Sequence, residues 1–304
     1  MSTDTGPIRP LDRIRVHPCP SVVKSPTSIL MRSLLTAAVL SFLALHLSLA
    51  HAAITLEETT DHGQAAWRIA TPTATWVYHL EGAGFSSLFD PAGRDWLAYR
   101  PTGGAAGHYR GIPNAVFRRD QAGNNFFHPG HTGPKASRTT LISSSPDRVL
   151  FASRSNDDRW ACEWEIRPDR ALLRFTQLPP DDNGYWFLYE GTPGGRFEPT
   201  DLCLRADGTI TPLSETWEAS MRDIPWVAFI SPGRGALILI AHDAPASRVS
   251  YRPMENAMTV FGFGREHRSL ANLLTQPLTF TVALVAETDP AKIAARVAAL
   301  QPAK

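Results

Sequence analysis

"RWACEWEIRPDRALLRFTQL" runs from Arg159 to Leu178. Its first half places Trp160, Cys162, Trp164 and Ile166 on one face and Ala161, Glu163, Glu165 and Arg167 on the other. That period of two is the signature of a strand with one buried face. The Arg-Pro-Asp-Arg turn at 167–170 then leads into "ALLRFTQL", so the stretch predicts an antiparallel hairpin.

The same pattern extends outward in both directions. "AAWRIA", "ATWVYHL" and "DRVLFAS" lie before the hairpin; "GYWFLYEG", "WVAFISP", "GALILIAHD", "MTVFGFG" and "LTFTVALVAE" follow it. Asp-Gly at 207 and Pro-Gly at 193 and 232 punctuate the series. One helix is expected, in "TDPAKIAARVAALQ". Thr288 or Asp289 is its N-cap, Pro290 lies in its first turn, and Ile293, Val297 and Leu300 form one apolar stripe. A short C-terminal helix of this kind is expected against a sheet edge. No repeat of fixed period argues for a propeller, and no Gly/Ser/Pro-rich linker divides residues 53–304. So many strands in one domain require two stacked sheets or a closed barrel. The fold class expected is all-β.

The chain has 304 residues and a formal net charge of +1. Residues 33–50 are apolar and uncharged, follow Met31-Arg32, and end at Ala50-His51-Ala52, a small-x-small cleavage site. This reads as a secretory signal peptide rather than an anchor, with Met31 as the true start and residues 1–52 absent from the mature protein. Trimming leaves 25 basic against 27 acidic residues, so charge makes no case for nucleic acid or an anionic membrane. The expected locale is the periplasm or the medium. In an oxidising compartment Cys162 and Cys203 are expected to pair, the alternative being two buried thiols. No Cys/His cluster has zinc spacing, and His242-Asp243 alone is too little for a metal site, so neither metal nor cofactor is expected. There is no GxSxG elbow and no phosphate-binding glycine pattern.

"TWVYHLEGAGFSSLFDPAGRDWLAYRP", Thr75 to Pro101, resembles the opening of galactose-mutarotase-like proteins. A strand there runs into a Gly-containing bend and an "sl.d..G.dw" hairpin. "FLYEGTPGG" and "MTVFGFGR" have the look of signatures as well. The resemblance implies a large antiparallel two-sheet supersandwich, a fold shared with polysaccharide lyases and several glycosidases. The mutarotase pattern of a catalytic His followed by a late general-base Glu is not matched; Glu266 is the one late candidate, which weighs against aldose epimerisation.

One segment breaks the strand pattern. "GHYRGIPNAVFRRDQAGNNFFHPGH", Gly107 to His131, holds three histidines with Tyr109, Arg110, Asn114, Asn124 and Asn125. Loops on a rigid sandwich are where chemistry is usually presented. His108, Tyr109, His128 and His131 could move protons; Arg110 could clamp a carboxylate; Asn114 could bond a sugar hydroxyl or a developing enolate. Between the last two histidines, His128 is expected in the cleft and His131 is expected to fix the loop. Glu190, at a strand end beside "GTPGG", is the expected carboxylate partner. Arg265 is a possible second clamp, and Trp217 and Trp226 could stack on sugar rings. The expectation is an exported lyase or glycosidase acting on an oligo- or polysaccharide, with His128, His108, Tyr109 and Glu190 catalytic. Arg110, Asn114, His131, Arg265, Trp217 and Trp226 would hold the substrate. The alternative is a glycan-binding or envelope β-sandwich without catalysis.

Overall fold

The computed structural model describes residues 53–117, 125–179, 184–266 and 274–301. The signal-peptide reading, on residues 1–52, and Asn124 lie outside them. The described chain is an all-β sandwich of antiparallel sheets with one α-helix.

The opening hairpin forms as its alternation requires. β9 (Ala161–Arg167) pairs with β10 (Arg170–Gln177), and Cys162, Trp164, Ile166, Ala171, Leu173 and Phe175 are buried on its inner face. It sits inside a nine-stranded sheet. On one side lie β8 (Arg148–Ser155) and the edge strand β7 (Ser137–Ser145). On the other lie β19 (Thr279–Val285), β16 (Gly235–Ala241), β15 (Trp226–Ser231), β12 (Leu202–Arg205) and β13 (Ile210–Pro212).

The second layer has two four-stranded pieces. One is β1 (Thr55–Asp61), β2 (Gln64–Ala70), β3 (Thr75–His79) and β4 (Gly84–Phe89) in order. The other runs β11 (Phe187–Gly191), β18 (Met258–Phe263), β17 (Arg248–Met254), β14 (Trp217–Ser220). Residues 111–116 join them. Phe85 bridges Ile112 on one side, and Gly111 bridges Glu190 and Val116 bridges Trp186 on the other. The irregular segment is therefore the seam at the middle of the second layer. Its tail adds a two-residue ribbon, β5 (Ala115–Val116) with β6 (Asn125–Phe126).

Aromatic rings fill the space between the layers. Phe85 meets Trp164 at 4.7 Å between ring centres, Tyr78 meets Phe151 at 4.7 Å, and Phe187 stacks on Phe280 at 4.4 Å. Each such pair adds about 0.5–1.5 kcal/mol beyond its area burial.

The helix α1 (Pro290–Leu300) is capped by Asp289, whose side chain accepts from the Lys292 N–H at 3.0 Å. It does not lie along a sheet edge. Ile293, Val297 and Leu300 pack on the outer face of the nine-stranded sheet, against Ala236, Ile238, Ile240, Ala283 and Val285. Covered on both faces, β16 is buried at all seven positions, which is why its sequence is a continuous apolar run rather than an alternating one.

The expected disulfide is absent: Cys162 and Cys203 are both free and buried. The reason is topological. Cys162 is on β9 and Cys203 on β12, with β10, β19, β16 and β15 between them. Five strand spacings are about 24 Å, far beyond the ~7 Å between Cα atoms that a disulfide tolerates.

Candidate functional site

The outward face of β11 decides the site. Phe187 and Tyr189 point into the core, so Trp186, Leu188 and Glu190 point out. Across β18 and β17 the same parity exposes Val260, Arg252 and Met254. Together with Tyr109, Asn114, Val116 and Arg265 they line a pocket of about 280 Å³ on the outer face of the second layer.

Glu190 is buried at its floor and is held by the Asn114 side-chain amide, which donates to Oε2. The Asn114 carbonyl in turn accepts from Asn125 Nδ2 at 2.8 Å. Asn114 has φ 36°, in the left-handed region that Asn tolerates better than other side chains. That departure from strand geometry turns its amide toward β11 although the backbone around it pairs with both neighbours. Arg265 is fully buried, donates to Ser250 Oγ at 2.7 Å, and its guanidinium carbon lies 5.9 Å from the centre of the Trp186 ring. Gly262 leaves room for it, since a Cβ there would sit 2.7 Å from Arg265 Cβ. The Arg252 Nε is buried with no hydrogen-bond partner among the described residues. The pocket thus carries two guanidinium groups against one carboxylate.

The expected residues divide. Glu190, Asn114, Arg265 and Tyr109 converge on the pocket, and Tyr109 is 43% exposed at its edge. Arg110 does not. Its guanidinium is buried and donates to the carbonyls of Ala105, Ala98 and Ala257 at 3.0, 3.3 and 2.9 Å, so it holds loops rather than substrate. Burial lowers its pKa. Trp217 faces the core beside Tyr251 and Phe261, with Arg205 over its ring. Trp226 is on β15, packed on the cluster beneath α1. Neither tryptophan lines the pocket; Trp217 opens the strand β14. Glu266 is half-buried and outside the lining.

The three histidines cluster behind the seam. The ring centres of His108 and His128 are 6.5 Å apart, and those of His128 and His131 are 5.3 Å apart. His108 is exposed and bonds the Pro101 carbonyl at 3.0 Å through Nδ1. His128 is not a cleft residue. Its Nδ1 accepts from the Gly130 N–H at 3.1 Å, which leaves Nε2–H to donate to the Tyr109 carbonyl at 3.2 Å. It fixes the loop, the part expected of His131. Next to it, Pro129 packs into the bend at 82–84: a Cβ on Gly84 would lie 2.7 Å from Pro129 Cδ. His79 ties the same loop to β1, its ring nitrogens meeting the Pro129 carbonyl and the Asp61 carboxylate, each at 2.8 Å.

Burial pulls the His128 pKa down to about 4, and burial with the neighbouring His128 pulls His131 down to about 2. Burial lowers that of His242 as well. These imidazoles stay neutral in the fold while the unfolded chain protonates near pH 6.5. Stability is therefore full above about 6.5 and falls as pH drops toward about 4, by at most ~1.4 kcal/mol per unit for each group. Thermal unfolding followed across that range should show a falling midpoint, flattened in His128→Gln. Carboxylates with lowered pKa, such as Asp61 and Asp90, act only below about 3.8. Asp201, whose carboxyl burial pushes up to about 6, adds stability as pH falls through part of the same range and opposes the loss from the imidazoles. A His128→Gln profile identical to wild type would mean that His128 is not held neutral by the fold.

Arg252 and Trp186 were not foreseen as pocket residues. The signal for Arg252 is an arginine in the outward register of "SYRPM", between the core residue Tyr251 and Pro253. Among the described residues no helix is long and apolar enough to cross a membrane.

No protein-family model matches the chain, and no curated protein does. Solved structures do. HI1317 is similar at a TM-score of 0.50 with 14% identity, over 76% of this chain and 99% of that one. An α-N-acetylgalactosaminidase, NagBb from Bifidobacterium bifidum, in complex with Gal-NHAc-DNJ, is similar at 0.52 with 15% identity, over 77% of this chain but 38% of that one. YeaD from Salmonella typhimurium, a candidate mutarotase by its description, follows at 0.47 with 10% identity. At these identities the likeness is one of fold: an antiparallel β-sandwich shared with these structures.

Proposed function

We propose that the protein is an exported carbohydrate-active enzyme that binds an acidic sugar, of the uronate type, over Glu190. The observation that carries this reading is a carboxylate fixed by Asn114 in a pocket that also holds Arg252 and Arg265. Removing the proton next to a uronate carboxylate requires that the carboxylate be neutralised, and guanidinium groups do this in a bidentate fork. Glu190 then takes the C5 proton, the C4–O bond breaks as the C4–C5 double bond forms, and the Tyr109 hydroxyl protonates the departing oxygen. Hydrolysis by a carboxylate pair fits less well, because Glu190 is the one carboxylate among the described lining residues. Relatives of the fold with sugar-directed names support carbohydrate as the substrate class.

A second reading, glycan binding without turnover, is favoured by the position of the three histidines outside the lining. A panel of uronate-containing and neutral oligosaccharides separates the two. Ultraviolet absorbance of an unsaturated product supports the lyase; new reducing ends without it indicate hydrolysis; saturable binding alone supports the second reading. No binding to any member would remove both. Export is checked by N-terminal sequencing of protein recovered from the periplasm or medium, which should begin near Ala53. An intact residue 1 or 31 would overturn it.

A further inference from the structure

We propose a second binding site, for the oxyanion group of an acidic ligand, on the opposite outer face of the sandwich, between β10 and the C-terminal end of α1. Strand parity places it there. Ala171, Leu173 and Phe175 point into the core, so Arg170, Leu172 and Arg174 point outward. The helix covers this face of the nine-stranded sheet over β16 and β19 but not over β10. At that boundary a pocket of about 340 Å³ is lined by Arg167, Arg170, Arg174, Leu172, His242 and Asp243, among others.

The charges around it are unevenly matched. Arg167 is satisfied by Glu165 at 2.6 Å, and Glu165 also takes Arg148 at 3.1 Å. Asp169 gives one oxygen to Arg296 at 2.9 Å and lies 3.8 Å from Arg170. Glu163 is 3.9 Å from Arg174. Arg170 and Arg174 therefore have no acceptor within hydrogen-bond distance among the described residues. The Arg170 side chain is only 20% exposed. A guanidinium largely removed from water, with its donors open to a cavity, is arranged for an anion that brings its own acceptors. Arg174 lies four residues further along the strand, about 13 Å away at the usual rise, with Leu172 as an apolar floor between them. The His242 ring is occupied by Thr281 Oγ1 at 2.8 Å, so the arginines supply the recognition. Carboxylate, sulfate and phosphate share the required chemistry.

Arg170 could instead serve only to place a cation near the C-terminal carbonyls of α1. Arg170→Lys separates the two roles, since it keeps the charge and loses the fork. Calorimetric titrations would use inorganic phosphate, sulfate, glucuronate and glucose at constant ionic strength. Wild type should bind at least one of the three anions saturably and should not bind glucose here. Affinity should fall at least about tenfold in both Arg170→Gln and Arg170→Lys, while the Arg170→Lys unfolding midpoint stays at the wild-type value. Arg252→Gln, which removes a guanidinium from the pocket over β11 and none from this one, should retain the binding, which sets the two sites apart. Binding of phosphate or sulfate alone identifies a free anion; tighter binding of glucuronate identifies an acid carried on a sugar. No saturation by any anion, affinity unchanged in both Arg170 variants, or binding lost only in Arg252→Gln would overturn the proposal.

Discussion

Glu190→Gln is expected to lower turnover of an acidic glycan by about two to four orders of magnitude, the usual worth of a general acid or base. The fold should remain intact. Glutamine has the shape of glutamate, and its carbonyl can still accept from the Asn114 amide that holds Glu190. Lost is the negative charge and, with it, the capacity to take a proton. Because Arg252 and Arg265 remain in the pocket, binding of the carboxylate should survive or tighten, so the effect falls on kcat rather than KM. Asn114→Ala should cost less, roughly tenfold, by loosening a carboxylate whose placement proton transfer demands. If a folded Glu190→Gln variant turns over substrate at near the wild-type rate, the carboxylate is not the proton acceptor and the glycan-binding reading takes over.

The layers were legible in the sequence wherever one face of a strand meets solvent. The hairpin 159–178 alternates because the outer face over β9 and β10 is uncovered, and the stripe of α1 was visible for the same reason. Two of the strands that escaped notice have few apolar residues to alternate. β1 and β7 are sheet edges, "TLEETTD" and "SRTTLISSS", largely exposed. Polar edges of this kind resist edge-to-edge pairing, and the composition that protects them hides them as strands. The position of α1 on a face rather than an edge, and the distance between the cysteines, depend on strand order, which no local pattern encodes.

The site was half legible. Glu190 was singled out because it ends a strand before a glycine turn, and the structure places it in the pocket lining. The segment 107–131 was found for its composition, but composition does not say which way a side chain points. In the structure the seam's backbone pairs with strands on both sides, so Tyr109 and Asn114 reach the pocket on one side while His128 turns into the packing around Pro129. Arginines were ambiguous for a related reason. Arg110, in a loop, looked like a clamp for substrate and proves to clamp backbone carbonyls. Arg252 lies on β17, a strand with no clear alternation in the sequence, and lines the pocket.

Arg110 therefore carries a strong expectation of its own. Its guanidinium binds the carbonyls of Ala98, Ala105 and Ala257, joining the chain before the seam to the turn between β17 and β18. That turn leads into Met258 and Val260, which with Ala105 form a small buried cluster at the pocket wall. Arg110→Ala would leave three carbonyls without their donor and a void where the side chain stood. A buried polar group that loses its partner costs about 1–3 kcal/mol, and water entering the void recovers part of this, so a net loss of about 3–5 kcal/mol is expected. For a chain of this size 1 kcal/mol shifts the unfolding midpoint by about 2–4 °C, so the midpoint should drop by roughly 6–20 °C. Arg110→Lys keeps the charge but cannot span three acceptors in a plane, and should fall between the two. The opposite role predicts the opposite pattern. Were Arg110 to hold the substrate's carboxylate, its replacement would raise KM and leave the midpoint unchanged. A folded Arg110→Ala variant with wild-type thermal stability would show that the three carbonyls do not depend on it, and would return Arg110 to the substrate.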